Sequence, residues 1–293
     1  MSFSSEIKQE LNKNSNLSNK EYVKYELIGY LVSGNIDIEK NKLKFSTESD
    51  YNINRFSKLL SNLQIDHKID VTGKIFTITT NMKNLEKVIN YKEKQVELKE
   101  ILPVIKNEEY LKAIIKGTFM GSGSVNNPEN KYHLEIVFTN KETLEEICNL
   151  LARLGINAKK MITENKYSLY IKEGEEISRF LALLGANKAV MKFEDIRIQK
   201  EMRSKVNRLV NCETANLNKT INASIEQIAA IEKLKQNGKF NKLDDNIKEI
   251  AKLRIENPFR PPAKEAGEDF GMWIDCGVAV GCRSSATAEE RIF

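Results

Sequence analysis

The most informative set of hydrogen-bond donors in the chain is RSKVNRLVNCETANLNK, residues 203–219. Arg203, Lys205, Arg208 and Lys219 carry charges suited to phosphate oxygens. Asn207, Asn211 and Asn216 carry amides that can pair with base edges. The same side chains could instead cap helices and fix a domain junction. Composition leaves both readings open. Cys212 lies in this run beside Glu213, with no histidine near it in sequence. A lone thiol of this kind makes no case for a nucleophile or a metal ligand, and it is expected to pack. Cys148, Cys276 and Cys282 are the other cysteines, and His67 and His133 the two histidines. Their spacing matches no zinc pattern and implies no disulfide framework. No metal or cofactor is expected.

The second informative pattern is a pair of apolar stretches that end in small residues, ELIGYLVSGN (26–35) and IIKGTFMGSGS (114–124). Gly29 with Ser33, and Gly117 with Gly121, sit at i, i+4 and so share one face of a helix. Small residues one turn apart let two helices approach more closely than the usual spacing of about 8–10 Å. The surrounding segments repeat as well. Leu59, Leu60, Leu63 and Ile65 match Leu150, Leu151, Leu154 and Ile156, a constant offset of 91 residues (150 − 59). Strand-like runs at Lys42–Ser46 and His133–Phe138 precede these helices, and alternating strands around 67–79 and 158–171 follow them. Helices at about 84–90 and 175–184 close the two halves. A helix–strand–strand–helix–strand–strand unit used twice predicts a pseudo-symmetric α+β domain.

The paired segments resemble the LAGLIDADG motif of homing endonucleases. In that family a carboxylate at the eighth motif position of each helix holds a divalent metal for phosphodiester cleavage. The resemblance places Gly34 and Ser122 at those positions, and neither supplies a hard anionic oxygen. Asp37 comes three residues late. Catalysis is therefore not expected, which leaves a scaffold and its saddle-shaped surface. The run GSGSVNNPENKYHLEI (121–136) resembles a Gly-Gly-Ser-Val-x-x-Pro segment of the WhiA family, with Ser124, Asn126, Asn127 and Pro128 as turn formers. Residues 203–219 resemble the WhiA signature Arg-x-x-x-Asn-Arg-x-x-Asn-Cys-Glu-x-Ala-Asn. That resemblance implies a DNA-binding regulator of sporulation, cell division and chromosome segregation, with double-stranded DNA as partner. Division or segregation proteins are further candidate partners. An interaction scaffold without sequence-specific DNA binding and an active endonuclease are the alternatives.

The implied organisation is a duplicated LAGLIDADG-like domain over residues 1–190 and a polar basic linker over 191–219, followed by a small all-α, partial helix-turn-helix domain over 220–257. Two helices are expected in that last domain. One covers 221–237, with Ile221, Ile225, Ile228, Ile231 and Leu234 on one stripe, and the other covers 243–256. Residues 258–293 differ in composition: they lack Leu and Asn and hold three of the five prolines and the single tryptophan, Trp273. A shifted reading frame or a scar accounts for this, as does a natural extension; either way little order is expected there. The net charge of +5 permits a nucleic-acid partner without demanding one. No apolar run approaches the length of a membrane helix, and the first residues carry Glu6, Lys8 and Glu10, unlike a signal or transit peptide. A cytoplasmic, nucleoid-associated protein is expected.

Overall fold

A computed structural model describes residues 2–13, 17–33, 36–39, 41–86, 88–89, 91–92, 95–164 and 166–258. The expectations for Gly34 and for the tail beyond Pro258 lie outside the described residues. The chain divides into two units, Met1–Met202 and Arg203–Phe293.

The first unit opens with α1 (Phe3–Lys13), α2 (Lys20–Leu31), β1 (Ile36–Glu39), β2 (Lys42–Thr47), α3 (Asp50–Asn62), β3 (His67–Thr72), β4 (Ile75–Asn81) and α4 (Met82–Glu86). A short hairpin, β5 (Tyr91–Lys92) with β6 (Gln95–Val96), and α5 (Leu98–Ile101) lead into the second half. That half runs α6 (Glu108–Ser122), β7 (Gly123–Val125), β8 (Leu134–Phe138), α7 (Lys141–Arg153), β9 (Lys159–Thr163), β10 (Lys166–Ile171) and α8 (Gly174–Leu183). The two four-stranded antiparallel sheets have equivalent orders, β1-β2-β4-β3 and β7-β8-β10-β9. The duplication read from the 91-residue offset is thus a duplication of topology.

The offset reaches the helix ends. α3 starts at a cap in which Ser49 Oγ accepts from Asn52 N, and α7 at one in which Asn140 Oδ1 accepts from Thr143 N. Both helices stop at a left-handed residue, Gln64 (φ 57°) and Gly155 (φ 77°). Past each stop one amide reaches back five residues: Ile65 N donates to Leu60 O and Ile156 N to Leu151 O, each at 2.9 Å. These stops end the helices earlier than the leucine pattern predicts.

The core between the halves is built on α2 and α6, which pack along each other. A Cβ on Gly117 would strike the Glu26 carbonyl oxygen and lie 3.0 Å from Gly29 Cα. A Cβ on Gly29 would strike the Ile114 carbonyl oxygen and lie 2.7 Å from Thr118 N. Gly121 faces Ser33, whose side chain already fills the space a Cβ would need. Ser33 Oγ donates to Tyr30 O at 2.7 Å and Thr118 Oγ1 to Ile114 O at 2.9 Å, so both hydroxyls fold onto their own helices.

Beside this crossing lies a buried charge cluster. Arg55, from α3, donates from Nε and Nη2 to the two carboxylate oxygens of Glu26, at 2.7 and 2.5 Å. Lys116 Nζ, from the other half, lies 3.9 Å from Glu26 Oε2. All three side chains are buried. Burial works against the Arg55 charge, and the Glu26 carboxylate outweighs it, raising Arg55 above its ordinary range. For Lys116 burial wins and lowers its pKa to about 8. Next to the cluster, Tyr30 OH donates to Asn52 Oδ1 and Asn52 Nδ2 to Met120 O, both at 2.7 Å, again joining one half to the other.

From Asn187 one helix, α9 (Asn187–Gln236), carries the chain across the division between the units, and α10 (Asp245–Glu256) follows a 3-10 turn at Phe240–Lys242. Residues 191–219 are therefore helical and continuous with the helix expected to begin at 221. Nothing in 191–219 breaks a helix: the stretch holds neither Pro nor Gly. The second helix begins at Asp245, close to the expected 243.

Two measurements test this core. Gly117→Ala forces backbone apart from backbone, and denaturant titration should show a loss of about 3 kcal/mol or more. The Lys116 pKa is lowered on folding, so between pH 8 and 10 the unfolded chain holds a proton that the folded chain has shed. Lys8, lowered to about 8 by burial as well, adds to the effect, while buried Cys148, raised to about 11, opposes it above pH 9. Stability should therefore rise over that interval, and Lys116→Met should reduce the rise relative to the parent protein. Above about pH 10 the trend reverses, because burial pushes Tyr22 up to about 12 and only the unfolded tyrosine ionises.

Candidate functional site

At the end of α6, where a nuclease would need a carboxylate, Ser122 Oγ donates to Val137 O of β8 at 2.6 Å. Its hydroxyl ties the helix end to the sheet. Asp37 lies on β1, exposed, in register with Lys44 of β2. Ser124, expected as a turn former, lies instead in β7, where it is in register with Glu135 between the pairs Gly123–Ile136 and Val125–Leu134. The turn itself is tied by Glu129 N donating to Asn127 Oδ1 at 3.1 Å and Asn126 N to His133 O at 2.9 Å.

α9 carries all the donors singled out in the sequence, and the first unit fixes where that helix starts. Glu10 of α1 accepts from Lys188 N at 2.8 Å and from Ala189 N at 3.0 Å. A carboxylate at this end satisfies two free donors and favours the positive helix terminus. Lys192 Nζ lies 2.6 Å from Glu6 Oε2, and Phe193 packs within 6.3 Å of Phe3. Arg197 is raised above its ordinary value by its hydrogen bond to Glu194, and it also pairs with Glu201 at 3.5 Å. Lys200 Nζ donates to Asn130 O at 2.8 Å and lies 4.8 Å from the centre of the Tyr132 ring. The anchors that join this helix to α1 were not readable from sequence, since Glu10 and Lys188 are 178 residues apart.

Arg203, Lys205, Asn207, Arg208, Asn211, Asn216 and Lys219 are all exposed on α9. At about 100° per residue they form two groups. Lys205, Arg208, Asn216 and Lys219 share one face with Cys212, while Arg203, Asn207 and Asn211 share another. The only acid between 203 and 219 is Glu213. Cys212 is exposed and accepts a long contact from Asn216 Nδ2 at 3.8 Å. This corrects the expectation that it packs: it faces outward with the cations. In the second unit the isoleucine stripe is only partly covered, with Ile225 58% exposed and Ser224 and Ala251 the buried residues among those described. Among the described residues no helix is long and apolar enough to cross a membrane.

Comparison with known proteins agrees with this division. The model of the WhiA LAGLIDADG-like domain matches residues 111–203, and that of the WhiA C-terminal HTH domain matches residues 206–260. A protein from Clostridium acetobutylicum named probable cell division protein WhiA is 36% identical over 278 residues, covering 88% of each chain. One of the same name from Clostridium beijerinckii is 34% identical, covering 92% of this chain and 91% of its own. The crystal structure of full-length WhiA from Thermatoga maritima superposes with a TM-score of 0.62 at 28% identity, covering 88% of both chains. The isolated N-terminal LAGLIDADG domain of WhiA superposes with a TM-score of 0.51 at 26% identity, covering 63% of this chain and 92% of its own. With a duplicated α+β unit crossing at Gly29 and Gly117, a helical C-terminal unit and identity sustained over most of its length, the chain belongs to the WhiA family.

Proposed function

We propose that this chain is a non-enzymatic, DNA-binding transcriptional regulator acting in cell division, sporulation and chromosome segregation. The reading is carried by one observation: a helix-turn-helix family match begins at residue 206, on an exposed helix whose 203–219 segment is cationic. The duplicated domain, taken as residues 1–190, serves as scaffold. Residues 191–219 form a polar helical connector, and 220–257 supply the part of the helix-turn-helix that is present. Its site of action is the cytoplasm, at the nucleoid. Curated relatives carry the name of cell division proteins, which supports that process and leaves division or segregation proteins as further partners.

Lys205, Arg208 and Lys219 meet phosphates, with Asn216 reaching a base edge from the same face, while Arg203, Asn207 and Asn211 meet the backbone and base edges from the other face. Binding of this kind releases counterions and weakens steeply with salt. At the nuclease position, Ser122 offers a neutral hydroxyl already committed to Val137 O.

Fluorescence anisotropy with a labelled duplex across a salt series tests the reading. Lys205→Ala, Arg208→Ala and Lys219→Ala should each weaken binding and each reduce the slope of log K against log salt by about 1. Unchanged slopes in all three would remove this face from the interface. Plasmid incubated with the protein and Mg²⁺ should stay supercoiled, and nicking would overturn the non-enzymatic part.

A further inference from the structure

The second unit displays an apolar face that its own described residues leave uncovered. Val206, Leu209, Val210 and Leu217 are 57%, 60%, 51% and 57% exposed on α9. Single exposed apolar side chains are ordinary. Val206, Val210 and Leu217 recur in one stripe, turned away from Lys205, Arg208 and Lys219, with Leu209 at its edge beside Lys205. Arg203, Val206, Val210, Glu213 and Leu217 follow each other at alternating steps of three and four, the spacing of a helix-packing seam.

Four of the five seam positions pair about residue 208, Leu217 alone falling opposite a polar residue, Gln199. When the helix runs antiparallel against a copy aligned at that residue, Val206 meets Val210 of the copy, since both lie two positions from the centre. Arg203 then meets Glu213 of the copy, both lying five positions from the centre. The two-fold axis repeats each pair, as an isologous contact requires. A parallel arrangement in the same register would instead set Arg203 against Arg203 and Glu213 against Glu213, which is repulsive. Among the described residues neither Arg203 nor Glu213 has an ion-pair partner within the chain. The charges therefore choose both the occupant and its direction.

We infer that this face of α9 is a self-association surface, occupied by the same segment of a second copy in antiparallel orientation. The seam is short, so the dimer is weak and forms at micromolar concentrations or above. Arg203 also belongs to the candidate DNA-binding set, so the association is measured without DNA.

Sedimentation velocity of the full chain over a range of concentrations reads the outcome directly. The parent protein should pass from monomer to dimer as concentration rises. Arg203→Glu alone and Glu213→Arg alone should each raise the dissociation constant about tenfold or more, and the double variant should return it to within a few-fold of the parent. Circular dichroism checks that each variant keeps its helix content. A parent protein that stays monomeric throughout overturns the inference, as does a double variant no tighter than the singles.

Discussion

The architecture depends on a contact between backbones. Gly29 and Gly117 bring the axes of α2 and α6 so close that the Cα of one occupies the space a side chain would need on the other. Only hydrogen is small enough at these two positions. Each helix is followed by the first strand of its own sheet. Two half-domains that would each expose an apolar sheet face thereby share one core, running from Phe45 and Ile78 in the first half to Ile136 and Leu169 in the second.

The polar groups buried beside that contact act on its register. Ridges of apolar side chains can slide by a turn at modest cost, but Glu26 must meet Arg55 from its own half and Lys116 from the other. Asn52 likewise joins Tyr30 to the Met120 carbonyl. Removing one partner of such a cluster strands a charge in a low-dielectric core, a penalty of about 3–5 kcal/mol. A shifted pairing of the helices meets the same penalty. The cluster thus contributes chiefly by excluding alternatives, since a well-packed apolar replacement could match its net stability.

Much of this was legible in the sequence, for reasons that can be traced residue by residue. Gly29, Ser33, Gly117 and Gly121 were readable because close approach restricts the residue type so severely. The leucines of α3 and α7 were readable because helical burial imposes a period, repeated at the same offset. β1 and β7 escaped, one being four residues long and the other three and set in a Gly-Ser run that also reads as a turn. The extent of α9 escaped because its exposed middle has no single buried face to impose a period. The Glu26–Arg55–Lys116 cluster and the Glu10 cap were invisible for a different reason. They join residues distant in sequence, and nothing local distinguishes those side chains from solvated ones.

The hydroxyl of Ser122 bears on which other side chains its position can hold. As a donor it is fastened to the Val137 carbonyl at the seam between α6 and β8. An aspartate installed there would bring an acceptor against an acceptor, so the acid that cleavage demands would also prise the helix end from its sheet. A carboxylate at this position is thus disfavoured by an incompatibility between hydrogen-bonding roles, and accepting one would take a second change nearby.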